Sequence, residues 1–338
     1  MVRIHLCSVA EEPGIDPAFT AELRQLRACA ALDSVARHQL CADPEAAELV
    51  LFVESARDDG PAGRHFEAVR AAPLYRRLRH KAFLYSALDH PLPFVPGIFP
   101  SIERRWLQPS RAASGAYLTV DNRHVLARAG RASRHAAPLL ASFVGCTSGA
   151  RVRFRLLELD APDVHVEDTT AAFLGALECG DHEALDALKR AYAKRSLASR
   201  FVLCPRGRGV GSIRLFETMS LGRAPVVLSD GWVPPAGPDW DSFLVRVPED
   251  EVANLPELLR RLDPGSAARG RAARRAFDAW FAPRVLFDRL TESLLALQAR
   301  PRAGTALCTL QLLRPLHAGP SARRFLRRVM APLRGLRR

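Results

Sequence analysis

Short apolar runs bounded by turn residues alternate with amphipathic stretches from the start of the chain, and the alternation halts and restarts near Leu139. In the first series Val2 to Val9, Leu49 to Val53, Ala82 to Ser86 and Tyr117 to Val120 read as strands, with helices over Phe19 to Leu32 and Arg64 to Leu78. Near-continuous apolar strands separated by helices are the pattern of a parallel sheet covered on both faces. Within this series HPLPFVPGIFP, His90 to Pro100, holds four prolines in eleven residues, which predicts a rigid loop without a regular element. The second series starts with LLASFVGC at Leu139 and continues with a helix over Val152 to Leu159, VHVED as a strand and a helix over His182 to Lys194. It goes on with strands over Arg200 to Pro205, Ala224 to Asp230 and Phe243 to Pro248, and helices over Gly211 to Gly222, Glu251 to Leu262, Ser266 to Trp280 and Val285 to Gln298. Two such series predict an α/β chain of two Rossmann-like domains facing across a cleft, with ligands outside the carboxyl ends of the strands. The expected units are 1–137, 138–299 and a basic tail over 300–338.

Composition narrows the class of protein. At 338 residues the chain is longer than one hydrophobic core usually serves, and 48% hydrophobic with 25% charged residues excludes wholesale disorder. The formal charge is +13, but ten arginines follow the last acidic residue, Glu292, and without them the balance is 39 basic against 36 acidic residues. Basic character therefore belongs to the tail, which weakens a nucleic-acid reading based on pI. There are 46 arginines and 3 lysines, so arginine at any one position carries little information. No apolar run is long enough for a transmembrane helix, and MVRIHLCSVAEEPG is no secretory signal, so the expected location is cytoplasmic. Seven scattered cysteines without a CxxC pair suit reduced thiols, and Cys204, inside FVLCP, is expected to be a buried structural thiol.

The stretch RFVLCPRGRGVGSIRLFETMSLGRAPVVLSDGWVPP, Arg200 to Pro235, orders a strand, a glycine-rich turn, a helix N-terminus and a strand. Glycines 207, 209 and 211 allow close backbone approach, and the helix opening near Ser212 offers free N–H groups and a positive dipole end, which together suit a phosphate. The spacing is neither a Walker A loop nor GxGxxG, and the same turn also occurs as plain structure. Arg214 and Glu217, three residues apart, share one side of this helix opposite Leu215, Phe216 and Met219. An arginine fork can hold phosphate oxygens and a carboxylate can accept two bonds from a ribose diol, although an exposed i,i+3 ion pair has the same spacing.

FVLCPRGRGVGSIRLFETMSLG, followed by PVVLSDGWVPP, WDSFLVRVPEDEV and LPELLRRL, resembles the exostosin-type glycosyltransferases. Weaker agreement in AELVLFVES, FLYSALDHPLPFVPGIFPSIERRW and SFVGCTSGARVRFRLLEL extends the resemblance over most of Glu48 to Leu297 and leaves the tail outside it. The resemblance implies a GT-B architecture and an inverting transfer from a UDP-sugar without an essential metal. The donor would be bound chiefly by the second domain and the acceptor, a glycan or lipid-linked hydroxyl, by the first, as in polysaccharide biosynthesis. Carried onto this sequence, it puts Gly209, Gly211, Ser212 and Arg214 near the diphosphate and Glu217 near the ribose, with Arg206 as a further donor-side residue. The loop Gly145 to Gly149 and Arg153 should lie beside the donor, where a surface position for Arg153 is an equal alternative. Family members in animals and plants carry an N-terminal anchor, whereas this sequence begins almost directly with its first strand.

An inverting transfer needs a base for the acceptor hydroxyl. Asp89, His90 and Glu54, at strand ends of the first domain, are the candidates, with Glu167 and Asp168 as outsiders; each also suits a cap, turn or surface role. No metal-ligating motif is read, since DHEAL at Asp181 to Leu185 is not HExxH. No cofactor is expected beyond the nucleotide-sugar co-substrate. A catalytically inactive partner subunit and a basic nucleic-acid-binding protein are the alternatives, with nucleic acid not the expected partner. In Ser321 to Arg338 the residues Phe325, Leu326, Val329, Met330 and Leu333 form an apolar stripe among seven arginines. That composition predicts peripheral attachment to an anionic membrane, at the inner face of the cell membrane, with a self-packed tail as the alternative.

Overall fold

A computed structural model describes residues 1–11, 20–55, 65–118, 122–131 and 137–301. The membrane reading of Ser321 to Arg338 lies outside the described residues. The first unit contains β1 (Val2–Cys7), α1 (Ala21–Ala31), β2 (His38–Leu40), β3 (Leu49–Glu54), α2 (His65–Ala71), α3 (Pro73–Leu78), β4 (Ala82–Ser86), β5 (Gly97–Phe99), β6 (Ala112–Ser114) and α4 (Arg123–Leu126). The second begins with β7 (Leu139–Gly145), α5 (Arg151–Leu157), β8 (Val164–Asp168), α6 (Thr170–Glu178), α7 (His182–Leu197), β9 (Ser199–Pro205) and α8 (Ile213–Leu221). It continues with β10 (Ala224–Leu228), β11 (Val245–Arg246), α9 (Leu255–Leu262), α10 (Ser266–Trp280) and α11 (Pro283–Gln298).

Each unit is built on one parallel sheet, in the order β2-β1-β3-β4-β5-β6 and β11-β10-β9-β7-β8 respectively. The α/β class read from the alternation is the observed one. In the first sheet the chain reverses direction of travel between β1 and β3, and in the second between β7 and β9. Such switch points open a crevice at the carboxyl ends of the strands. The two sets of carboxyl ends meet. Gly211 N–H donates to Ser101 Oγ at 3.0 Å, Ser114 Oγ donates to Val233 O at 2.6 Å, and Glu103 bridges Trp232 as an antiparallel pair. One buried cluster runs from Ile4, Phe83 and Tyr85 through Phe216, Trp240 and Phe281, so the apolar core is continuous between the units.

Several elements differ from the sequence reading for identifiable reasons. The loop His90 to Pro100 does contain a strand, β5, because Gly97–Phe99 fits between Pro96 and Pro100. Pro96 enters the pairing only as an acceptor, from Leu84 N–H at 2.9 Å, so its missing donor costs nothing. Instead of a strand from Tyr117, the sixth strand is β6, and Tyr117 turns into the interface against Phe216. The single helix expected over Arg64 to Leu78 is two, since Ala72 adopts φ −60° and ψ 131° ahead of Pro73. His182 is an exposed residue in the first turn of α7, whose cap is Asp181, accepting from Ala184 N–H at 2.9 Å.

The last described helix, α11, follows the second series in sequence but packs on α1, β5 and β6 of the first unit. Its Asp288, fully buried, accepts from Arg37 Nε at 2.9 Å and Nη2 at 2.7 Å, and Glu292 Oε1 lies 2.8 Å from His38 Nε2. His38, Asp288 and Glu292 have metal-ligand spacing, but Arg37 already occupies the Asp288 carboxylate. Removing one partner of this pair should cost unequal amounts. Arg37 is 48% exposed and can return its charge to water, so Asp288→Ala should cost about 1–3 kcal/mol. Arg37→Ala leaves the fully buried Asp288 carboxylate with the longer contacts to His38 at 3.6 Å and Arg289 at 3.9 Å and should be the more destabilising of the two, as urea unfolding of both variants would show.

Candidate functional site

At the switch point of the second sheet two loops face each other, Gly145–Gly149 after β7 and 206–212 after β9. Arg153 on α5 reaches between them: its Nε donates to Arg206 O at 2.8 Å and its Nη1 to Cys146 O at 2.7 Å. Arg214, in the first turn of α8, donates through Nη2 to Val144 O at 3.2 Å, while its buried Nε has no partner. Both guanidinium groups lie against Phe143, 5.8 and 5.1 Å from the ring centroid, and Arg214 also lies 5.6 Å from that of Tyr192. Among the described residues neither makes an ion pair with a carboxylate. Burial, and then the neighbouring Arg214 charge, pull the Arg153 guanidinium down to about 10. Two half-buried like charges beside a helix N-terminus are an arrangement suited to an anion.

Ser212 adds to it. It is the residue ahead of α8, its hydroxyl does not cap the helix, and its Oγ is buried without a partner. Buried polar groups are normally bonded, so an orphan hydroxyl and an orphan guanidinium nitrogen at one helix end point to a group that would bond both. Gly145 stands where any Cβ would run into the Arg214 guanidinium.

The other glycines serve differently from a purely ligand-facing turn. A Cβ on Gly209 would lie 2.6 Å from Asp89 O, and one on Gly211 would lie 2.7 Å from Pro100 O and 2.6 Å from Tyr117 Oη. The space their missing side chains leave is filled by the first unit, so these two glycines let the units close. Arg206 is drawn toward Glu249 at 3.8 Å and donates to Arg208 O at 2.9 Å. Glu217 is 5% exposed beside Tyr192, whose hydroxyl is held well above its ordinary range by burial and by that carboxylate. It lies on the Arg214 side of α8 but inside the packing, because α10 covers α8. Cys204 is fully buried, and burial pushes its thiol up to about 12, which makes it inert.

The base candidates separate. Glu54 ends β3 at the switch point of the first sheet, where Oε2 accepts from Ser8 Oγ and Oε1 from Val9 N–H, both at 2.9 Å. It is 3% exposed, and burial pushes its carboxyl up to about 7 against the pull of those two bonds. Asp89 is exposed and meets Gly209 through its backbone; His90, half-exposed, lies 3.8 Å from Glu103. Asp168 ties the Gly145–Gly149 loop, accepting from Thr147 Oγ1 at 2.8 Å and Thr170 Oγ1 at 2.5 Å. Glu167 is 3.1 Å from His165. Phe143, Tyr192, Ser101 and Thr147 hold the site together and carry no motif; Phe143, two residues before Gly145 in β7, and Thr147, inside the Gly145–Gly149 loop, lay next to or in the loop that the sequence reading set beside the donor, whereas Ser101 and Tyr192 did not.

Residues 105–262 match the profile of the exostosin GT47 domain. An exostosin-1 homolog of Caenorhabditis elegans is 46% identical over 63 residues, 18% of this chain and 16% of that protein. A probable glycosyltransferase of Arabidopsis thaliana is 35% identical over 75 residues, 22% of this chain and 14% of that protein. The matches thus span about a sixth of those relatives. Among solved structures, HepE of Anabaena in complex with UDP overlays 88% of this chain and 100% of its own at 11% identity and a TM-score of 0.38. WaaG, a glycosyltransferase involved in lipopolysaccharide biosynthesis, overlays 85% of this chain and 99% of its own at 13% identity and a TM-score of 0.35. Overlays this loose place no residue. Residues 105–262, which run from the last strand of the first sheet through the whole of the second, are thus similar to the exostosin GT47 domain.

Proposed function

We propose that the chain is a glycosyltransferase that binds a nucleotide-sugar, in this reading a UDP-sugar, at the β7/β9 switch point and passes the sugar with inversion to a hydroxyl of a glycan or lipid-linked acceptor. The GT47 domain supports the class of reaction. The observation that carries the placement is the Arg153–Arg214 pair, buried against Phe143 without a carboxylate partner among the described residues.

In this reading the diphosphate lies between the two guanidinium groups and the α8 N-terminus, and Ser212 Oγ donates to a phosphate oxygen. Glu54 is the base in this reading, because it ends β3 at the switch point of the first sheet and burial raises its carboxyl to about 7, a proton affinity suited to general-base work near neutral pH. Its carboxylate takes the acceptor proton as the acceptor oxygen bonds to the anomeric carbon, and the bond from that carbon to the diphosphate breaks. The charge released on the diphosphate falls to Arg153, Arg214 and the helix N–H groups, which suits turnover without a divalent metal.

Calorimetry with UDP checks the donor site. Arg214→Ala should weaken binding by about 1.5–3 kcal/mol, and Gly145→Ala should also weaken it by displacing that guanidinium. Gly175→Ala on α6, where a Cβ meets nothing within 4 Å, should leave affinity unchanged.

Glu54 gives a pH test with a definite sign. Its carboxyl rises from 4.5 to about 7 on folding, so the folded chain holds the proton more tightly. The stability this group contributes is fully present below pH 4.5 and is lost as pH rises through 7, a change of roughly 3 kcal/mol. Unfolding curves between pH 5 and 8 should show that loss in the native chain and a flatter profile in Glu54→Gln. The same variant should lose about 10²–10⁴-fold in kcat, and native kcat/KM should fall below pH 7.

A further inference from the structure

Helix α6, TAAFLGALE, is apolar on nearly every side, yet it lies at the surface. Ala176 is buried, whereas Phe173 is 38%, Leu174 46% and Leu177 56% exposed. Helices without a polar face are normally enclosed, whereas the main packing partner of α6 among the described elements is α7, on one side. Its three large side chains, at i, i+1 and i+4, make a contiguous surface patch of the kind that marks a docking site.

The surroundings select the partner. Between Arg155 and Lys189 the chain carries nine acidic residues and no lysine or arginine, in a protein with a formal charge of +13. Asp163 and Asp186 have arginine partners, but Glu178 and Glu183 stand exposed at the C-terminal end of α6 and the start of α7. An apolar patch in an acidic field repels an anionic lipid surface and fits a basic amphipathic segment.

Such a segment is present in the same chain. Ser321–Arg338 has five apolar residues at three-to-four-residue spacing, seven arginines and no acidic residue. Residues 302–320 precede it, and a chain of that length reaches roughly 60 Å, against a radius of gyration of about 19 Å for a body of 300 residues. That reach is comparable to the ~50 Å diameter of such a body, so from Arg300, bonded through Nη1 to Pro109 O at 2.6 Å, the segment can span to another face of the chain.

We propose that Ser321–Arg338 docks on α6 of its own chain, its apolar stripe covering Phe173, Leu174 and Leu177 and its arginines facing the acidic residues around Glu178 and Glu183. The docked segment and a membrane would then compete for the same arginines.

Hydrogen exchange on the full chain tests this. The α6 amides should exchange about tenfold faster in a chain ending at Pro301, and in the full chain with Glu178→Lys and Glu183→Lys, while β9 and β10 keep their protection as the control for folding. Equal α6 exchange in the full and shortened chains overturns the proposal. So does α6 protection that grows with protein concentration, which would assign the patch to the tail of a second copy. Protection unchanged by truncation together with flotation of the full chain on phosphatidylserine vesicles would give the tail to a membrane instead.

Discussion

Burying positive charge is costly unless something negative joins it, and at the head of the second sheet two guanidinium groups are buried against one phenyl ring. Arg153 loses proton affinity to burial and to Arg214, and backbone carbonyls alone answer the pair: Arg206 O, Cys146 O and Val144 O. Carbonyl dipoles orient the forks but cannot neutralise them. In the proposed reading a diphosphate supplies the negative charge at that point and bonds Arg214 Nε and Ser212 Oγ, two buried atoms without a partner among the described residues.

Support for this site comes from both units. Thr147 and Thr170 clamp Asp168 to fix the Gly145–Gly149 loop, Ser101 fixes the glycine turn from across the interface, and the first unit fills the space beside Gly209 and Gly211. The α11 helix then returns to the first unit, where Asp288 and Glu292 meet Arg37 and His38. Because Glu54 and the arginine pair each sit at the switch point of a sheet, bringing the carboxyl ends together brings the proposed base to the same side as the proposed diphosphate-binding groups.

Much of this was legible because it depends on local pattern. Runs such as FVLCP and APVVL are strands at any depth of context, and the glycine turn before Ser212 announces a helix end. Elements that depend on partners were not legible. The β5 and β6 strands are three residues long and are defined by pairing alone, and α6 has no apolar period because all its sides are apolar. Glu217 read as a ribose contact or as half of an exposed i,i+3 ion pair, and its burial beside Tyr192 of α7 was not legible from the helix pattern. Whether a glycine's missing side chain makes room for a ligand or for another stretch of backbone is decided by residues more than a hundred positions away, as Gly211 and Pro100 show.

The central claim is that the diphosphate belongs between Arg153 and Arg214. The most direct measurement is a crystal structure of the full chain with UDP at saturating concentration. The account predicts phosphate oxygens within hydrogen-bond distance of both guanidinium groups and of Ser212 Oγ, at the N-terminus of α8. UDP bound elsewhere on the chain, or a site between the two arginines that stays without nucleotide at saturation, would contradict it.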